Sequence, residues 1–245
     1  MNTGLHFQFN LEDANRLLVA LISFEVSLAA IFALDVISLI PSVFHKPFDL
    51  DGEGTIPAWF SSMQLFVIGI LFLFSRHWPQ THQIVKPGFL RVIGIGFVFL
   101  SMDEAASIHE RITALLKHIE WVPRFEGGHG IWIPVYLSIA VVLLGIGRRT
   151  IISMLNTYPR QMLIMFFGVV LFIIGGIGME IISYWYLRGT GLTLLYKAEV
   201  AIEEFLEMSG ASIVLYGAIL CALREPAVPG SGIPASPGQG ARQPL

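Results

Sequence analysis

A single cysteine, Cys221, occurs among 245 residues, which excludes an intramolecular disulfide and any cysteine-built metal site. Charge is scarce too: 13% of residues are Asp, Glu, Lys or Arg, where a soluble domain carries about 25%. The net charge of −3 leaves no basic surface for nucleic acid. The opening MNTGLHFQFNLEDANR is polar and acidic, unlike the basic start of a signal peptide, so no cleavage is expected. No internal repeat is evident, which argues against an inverted-repeat transporter.

Apolar sequence dominates instead, at 54% hydrophobic with a mean hydropathy of +0.69. Six apolar segments stand out, at 16–40, 58–76, 88–114, 130–147, 161–187 and 199–223. A span needs about 20 residues, so each reads as a transmembrane helix. The expected fold is all-α: a polytopic bundle of six spans over residues 1–223. The Pro-, Gly- and Ser-rich tail 224–245 cannot bury a core and reads as disordered.

Six spans put both termini on one side. That side collects nine Lys and Arg against six on the other, so both termini are expected in the cytoplasm of a bacterial inner membrane. The acids are more lopsided. Apart from Glu12, Asp13, Glu25 and Glu225, all fall on the outer side. Trp59, Trp121, Trp132 and Trp185 then form an outer aromatic belt, with Trp78 on the inner rim.

Ionisable groups at membrane depth are costly and mark functional sites. Residues 101–111 read SMDEAASIHER, directly behind the apolar run VIGIGFVFL, and 199–208 read EVAIEEFLEM. At about 1.5 Å per residue, Asp103 stands roughly 18 Å above Arg91 and Glu110 roughly 28 Å. Glu207 stands roughly 25 Å above Arg224, Glu180 roughly 30 Å above Arg160 and Gln64 roughly 18 Å above Arg76. Asp35 falls near the same level. One layer in the outer half of the bilayer therefore gathers polar groups from the first, second, third, fifth and sixth spans. Asp103, Ser107 and Glu110 follow i, i+4, i+7 spacing, with His109 flanking that stripe. Glu199, Glu203 and Glu207 form an i, i+4, i+8 stripe that continues through Gly210, Val214, Gly217 and Cys221, a face suited to close packing. Glu199, Glu204 and Glu120 read as solvated at the interface. Arg111 and Arg188 read as partners for Glu104 and Glu110, and Glu25 and Gln64 as isolated interhelical hydrogen-bonding groups. The fourth span has no charge between Trp132 and Gly147 and reads as a packing or lipid-facing helix.

Several carboxylates in a poor dielectric require protons or a cation. Carboxylates with one histidine in a bundle suit Fe, Mn or Zn, with Asp103, His109, Glu110, Glu180, Glu203 and Glu207 as candidate ligands. The Glu-x-x-His pattern of di-iron bundles is absent, since His109 follows Glu104 by five. Segment DLDGEGT at 49–55 begins like a calcium loop, but Phe60 stands where the closing Glu is required, so it reads as an acidic turn. The preferred function is a metal-dependent membrane enzyme acting on a lipid or quinone-like substrate. Asp103, Glu110, Tyr184 and Ser107 are its catalytic or proton-relay candidates. The alternatives are a proton- or cation-coupled transporter and a non-catalytic membrane subunit. The transporter needs polar groups continuing inward, where the sequence offers only Glu25 and Gln64.

Overall fold

The computed structural model describes residues 9–39, 41–125, 128–188 and 193–223. The expected tail at 224–245 lies outside them. The described residues form helices and turns, with no strand among them.

Helix α1 (Leu11–Val36) starts at a capping box. Asn10 Oδ1 accepts the Glu12 and Asp13 amides at 2.8 and 3.1 Å, and Asp13 accepts the Asn10 amide at 3.0 Å. This satisfies donors that an opening helix leaves bare. Helix α2 (Ile56–Leu73) is capped by Thr55, with Pro57 in its first turn. Helix α3 (Phe89–Ala106) ends at Ser107, which adopts a left-handed conformation (φ 50°, ψ 46°), and a short helix α4 (Ile108–Leu116) follows. Helix α5 covers Trp132–Thr157. Helix α6 (Pro159–Leu187) is π-helical at Ile174–Met179 and Ser183–Leu187, and α7 runs over Thr193–Leu223.

Five of these helices, α1, α2, α5, α6 and α7, are long and apolar enough to cross a membrane. The architecture is that of a helical membrane bundle. Helix α3 has the apolar run but carries Arg91, Asp103 and Glu104 within 18 residues.

Small residues set the closest crossings. At α2–α3, a Cβ on Gly69 would lie 2.9 Å from the Gly94 carbonyl oxygen, and one on Gly94 would lie 2.8 Å from the Gly69 oxygen. At α6–α7, a Cβ on Gly210 would meet the Phe172 nitrogen at 2.5 Å, and one on Gly175 the Glu207 nitrogen at 2.9 Å. The small-residue face read from the sequence of the last span is thus where α6 packs backbone to backbone.

The larger apolar core lies around Leu65, Ile68, Phe72, Met154, Tyr158, Met165, Val214, Leu215, Ala218 and Cys221, and a smaller one around Leu28, Phe32, Leu50, Val200 and Met208. Trp78 belongs to the larger core at 6% exposure, against Phe72 and Tyr158, rather than to a lipid-facing rim. Trp59, Trp121 and Trp185 are exposed. Helix α5 turns Leu137, Ile139, Val141, Val142, Leu144 and Ile146 outward, as a lipid-facing helix does.

Candidate functional site: an acidic cavity at one end of the bundle

The end opposite the larger apolar core contains a cavity of about 480 Å³. It is walled by the 50–53 turn, the C-terminal end of α3, helix α4, residues 128–132, the end of α6 and the start of α7. Its carboxylates are Asp51, Glu53, Glu104, Glu110, Glu180, Glu203 and Glu204; His109, His129, Lys117 and Arg188 also face it.

The left-handed residue at Ser107 reorganises the expected stripe. Asp103, Ser107 and Glu110 do not share one helical face, because the helix stops and restarts between them. Asp103 turns back to cap α4. Its Oδ1 accepts the His109 amide at 2.6 Å and lies 3.1 Å from His109 Nδ1. Asp103 is buried at 6% exposure, and Tyr136 of α5 stands beside its carboxylate. The His109 ring lies edge-on to Trp132, with centroids 5.3 Å apart. Asp103 thus orients His109, and His109 faces the cavity. With Nδ1 donating to Asp103, the neutral ring keeps Nε2 as an acceptor.

Glu104, read from sequence as pairing with Arg111, faces the cavity from α3. It neighbours Ser61 of α2 and Glu204 of α7. Glu204 is likewise not an interfacial group beside Lys197. Lys197 instead pairs with Asp51 at 3.1 Å, where Asp51 also accepts the Tyr196 hydroxyl at 3.0 Å. Glu199 is buried at 4% exposure beside Glu203 and Ser183, not solvated. Glu120 is exposed, as expected.

Glu180 and Glu203 reach the cavity wall. Glu207 lies beneath it, its Oε1 over Gly176, on the π-helical stretch of α6. Such π-bulges are frequent at functional sites. Arg188 pairs with Glu180 at 3.4 Å and donates to the Tyr184 hydroxyl at 2.5 Å, rather than serving Glu110. Phe125 and His129 stack on Tyr184, with centroids 5.0 and 5.2 Å away.

Two groups expected in this layer are elsewhere. Asp35 pairs with His45 in the connection after α1. Gln64 joins Glu25 deeper in the bundle: its Nε2 donates to Glu25 Oε1 at 2.9 Å, while Ser209 and Ser212 hydroxyls donate to Glu25 at 2.9 and 2.6 Å. Sequence reasoning missed Trp132, Tyr136, Tyr196, Asp51 and Glu53 as members of the acidic end. Loop and helix-start residues carry no periodicity that reveals a common wall. The acids in DLDGEGT were the one available signal.

Among the described residues, no three His, Cys, Asp or Glu side chains come close enough together to enclose a metal ion. The carboxylates surround the cavity without converging on one point.

The fold and its acid-walled cavity define an integral-membrane helical bundle with a polar chamber at one end. Residues 17–223 match the family model described as Domain of unknown function (DUF8692), and the chain belongs to that family. No curated protein and no solved structure matches it.

Proposed function

We propose that this chain crosses a bacterial inner membrane six times, with α3 as the sixth span and both termini cytoplasmic. We further propose that the cavity is the chamber of a metal-dependent enzyme acting on a lipid or quinone-like molecule from the outer leaflet. The observation that carries this reading is the Asp103–His109 pair beside a surplus of carboxylates. Asp51 and Glu180 are offset by Lys197 and Arg188. Glu53, Glu104, Glu110, Glu203 and Glu204 remain, with Lys117 as the other permanent cation on the wall. Carboxylates held together away from bulk water call for a bound cation or for protons.

Glu104 and Glu204 approach from facing helices, and a divalent ion would draw them together. A mostly oxygen donor set with one imidazole suits iron, manganese or zinc. Such an ion would polarise a substrate oxygen or acidify a bound water. His109, held by Asp103, would accept or return the proton, a role worth about 10²–10⁴-fold in rate. A volume of about 480 Å³ suits a headgroup or a ring.

Elemental analysis by mass spectrometry of chelator-free protein tests this reading. Stoichiometric metal is expected in the wild type and its loss in Glu104→Gln/Glu204→Gln. Metal-free wild-type protein, purified without chelator, would sink it.

A proton- or cation-coupled transporter is the second reading, and one observation favours it: Glu25 and Gln64 put a polar group inside the bundle below the cavity. Beyond them Ile68, Phe72, Leu215 and Ala218 form an apolar plug, which is why the one-sided chamber ranks first. Acid-driven flux into vesicles containing the protein would reverse that order.

A further inference from the structure

The cavity already holds an organic cation, contributed by its own chain. The Arg188 guanidinium carbon lies 4.1 Å from the centroid of the Tyr184 ring and 5.9 Å from that of Tyr196. Its Nη2 is 3.4 Å from Glu180 Oε2, and the Glu203 carboxyl group lies nearby. Two aromatic faces and two carboxylates around one delocalised cation are the elements of an ammonium-binding cage. The ring quadrupole attracts the cation's face, and the acids set the charge. A compact, strongly hydrated ion gains little from such rings. A weakly hydrated ammonium or guanidinium gains most, because shedding its water costs least.

Arg188 is also placed to leave. Its side chain is 39% exposed, and it caps the C-terminal end of α6. Its contacts within the cage are made by the side chain, whereas its backbone amide is held separately by the Ser183 carbonyl at 2.9 Å. Rotation about side-chain bonds, giving up the bonds to the Ser183 and Tyr184 hydroxyls and to Glu180, therefore vacates the space over Tyr184 and beside Tyr196 without moving the backbone.

We propose that this cage is the headgroup subsite of the chamber, that it takes the quaternary ammonium of the choline lipid class, and that Arg188 occupies it as an internal competitor. This inference rests on the proposed chamber and names its substrate class. The subsite lies on Tyr184, Tyr196, Glu180 and Glu203, whereas the metal reading centres on Glu104 and Glu204, so the two fail separately.

The test is choline binding to purified, chelator-treated protein in detergent, by calorimetry at fixed ionic strength, with sodium as the control ion. Saturable choline binding that sodium does not match is expected. Arg188→Ala is expected to tighten it roughly fivefold to tenfold by removing the competitor. Tyr196→Leu is expected to weaken it by about tenfold. If Tyr196→Leu does not fold, Glu203→Gln replaces it with the same direction expected. Absence of choline binding in both wild type and Arg188→Ala overturns the proposal. So does binding that Arg188→Ala weakens, or that sodium at equal concentration abolishes, since either marks the cavity as a diffuse negative field. Because the protein is stripped of metal, a positive result stands even if elemental analysis finds none.

Discussion

Two sets of carboxylates in this bundle are handled in opposite ways. Glu25 is fully buried, and three neutral donors from Gln64, Ser209 and Ser212 close around it. The carboxylates of the cavity face one another across open space, and only Asp51 and Glu180 are matched with cations at ion-pair distance. The first arrangement ties α1, α2 and α7 together and leaves the acid nothing further to bind. The second leaves carboxyl groups without a cation partner where a molecule can reach them. A buried polar group that is satisfied locally serves the fold, and one left unsatisfied at a cavity is available for chemistry.

Substitutions break or sharpen that contrast. The largest effect is expected from Glu25→Leu. It strands the Ser209 and Ser212 hydroxyls in the core, while Gln64 Nε2 keeps Met208 O and Ser212 Oγ as acceptors, and each stranded group costs about 1–3 kcal/mol. The unfolding midpoint in detergent should fall sharply; an unchanged midpoint would mean that Glu25 is not structural. Next comes Gly210→Val, which drives a side chain into the α6 backbone at Phe172. Overpacking of this kind costs about 1–3 kcal/mol. It should also perturb the cavity, because the same α6–α7 crossing holds Glu207 over Gly176.

A change of opposite sign is expected from Glu203→Gln. Replacing a carboxyl group that is buried and set among Glu180, Glu199 and Glu204 should raise the midpoint of cation-free protein, by about 0.5–2 kcal/mol, as is usual where a functional site is strained. A fall instead would place Glu203 in the same structural class as Glu25. The smallest effect belongs to Lys197→Ala at the cavity rim. Its pair with Asp51 is partly exposed, and such pairs are worth about 1 kcal/mol or less.

Much of this was legible in the residues, for identifiable reasons. The stripe Gly210, Val214, Gly217 and Cys221 repeats at helical spacing, so a close helix crossing could be read from it. SMDEAASIHER and EVAIEEFLEM both set acids at the end of apolar runs, and Glu104, Glu110, Glu203 and Glu204 from these stretches line one cavity. The break at Ser107 could not be read. A left-handed residue in the middle of a run with good helical periodicity leaves no mark in the pattern, and it redirects Asp103 from a stripe of ligands to the orientation of His109. Gln64 failed for a related reason. Helical rise places a polar group along one axis, but which neighbour it meets depends on rotation about the helix, and Gln64 turns toward Glu25.

The sequence by itself determined the helical, apolar character of this protein and the clustering of its acids at the ends of apolar runs, because hydrophobicity and helical periodicity are properties of a chain segment alone. The partners of those acids were decided only by the tertiary structure. Glu104 and Glu204 share one cavity wall, Lys197 meets Asp51 and Arg188 stands over Tyr184 near Tyr196 because the bundle rotates and tilts its helices to bring small residues into contact. The side chains at the end of the bundle then face whatever that packing sets before them.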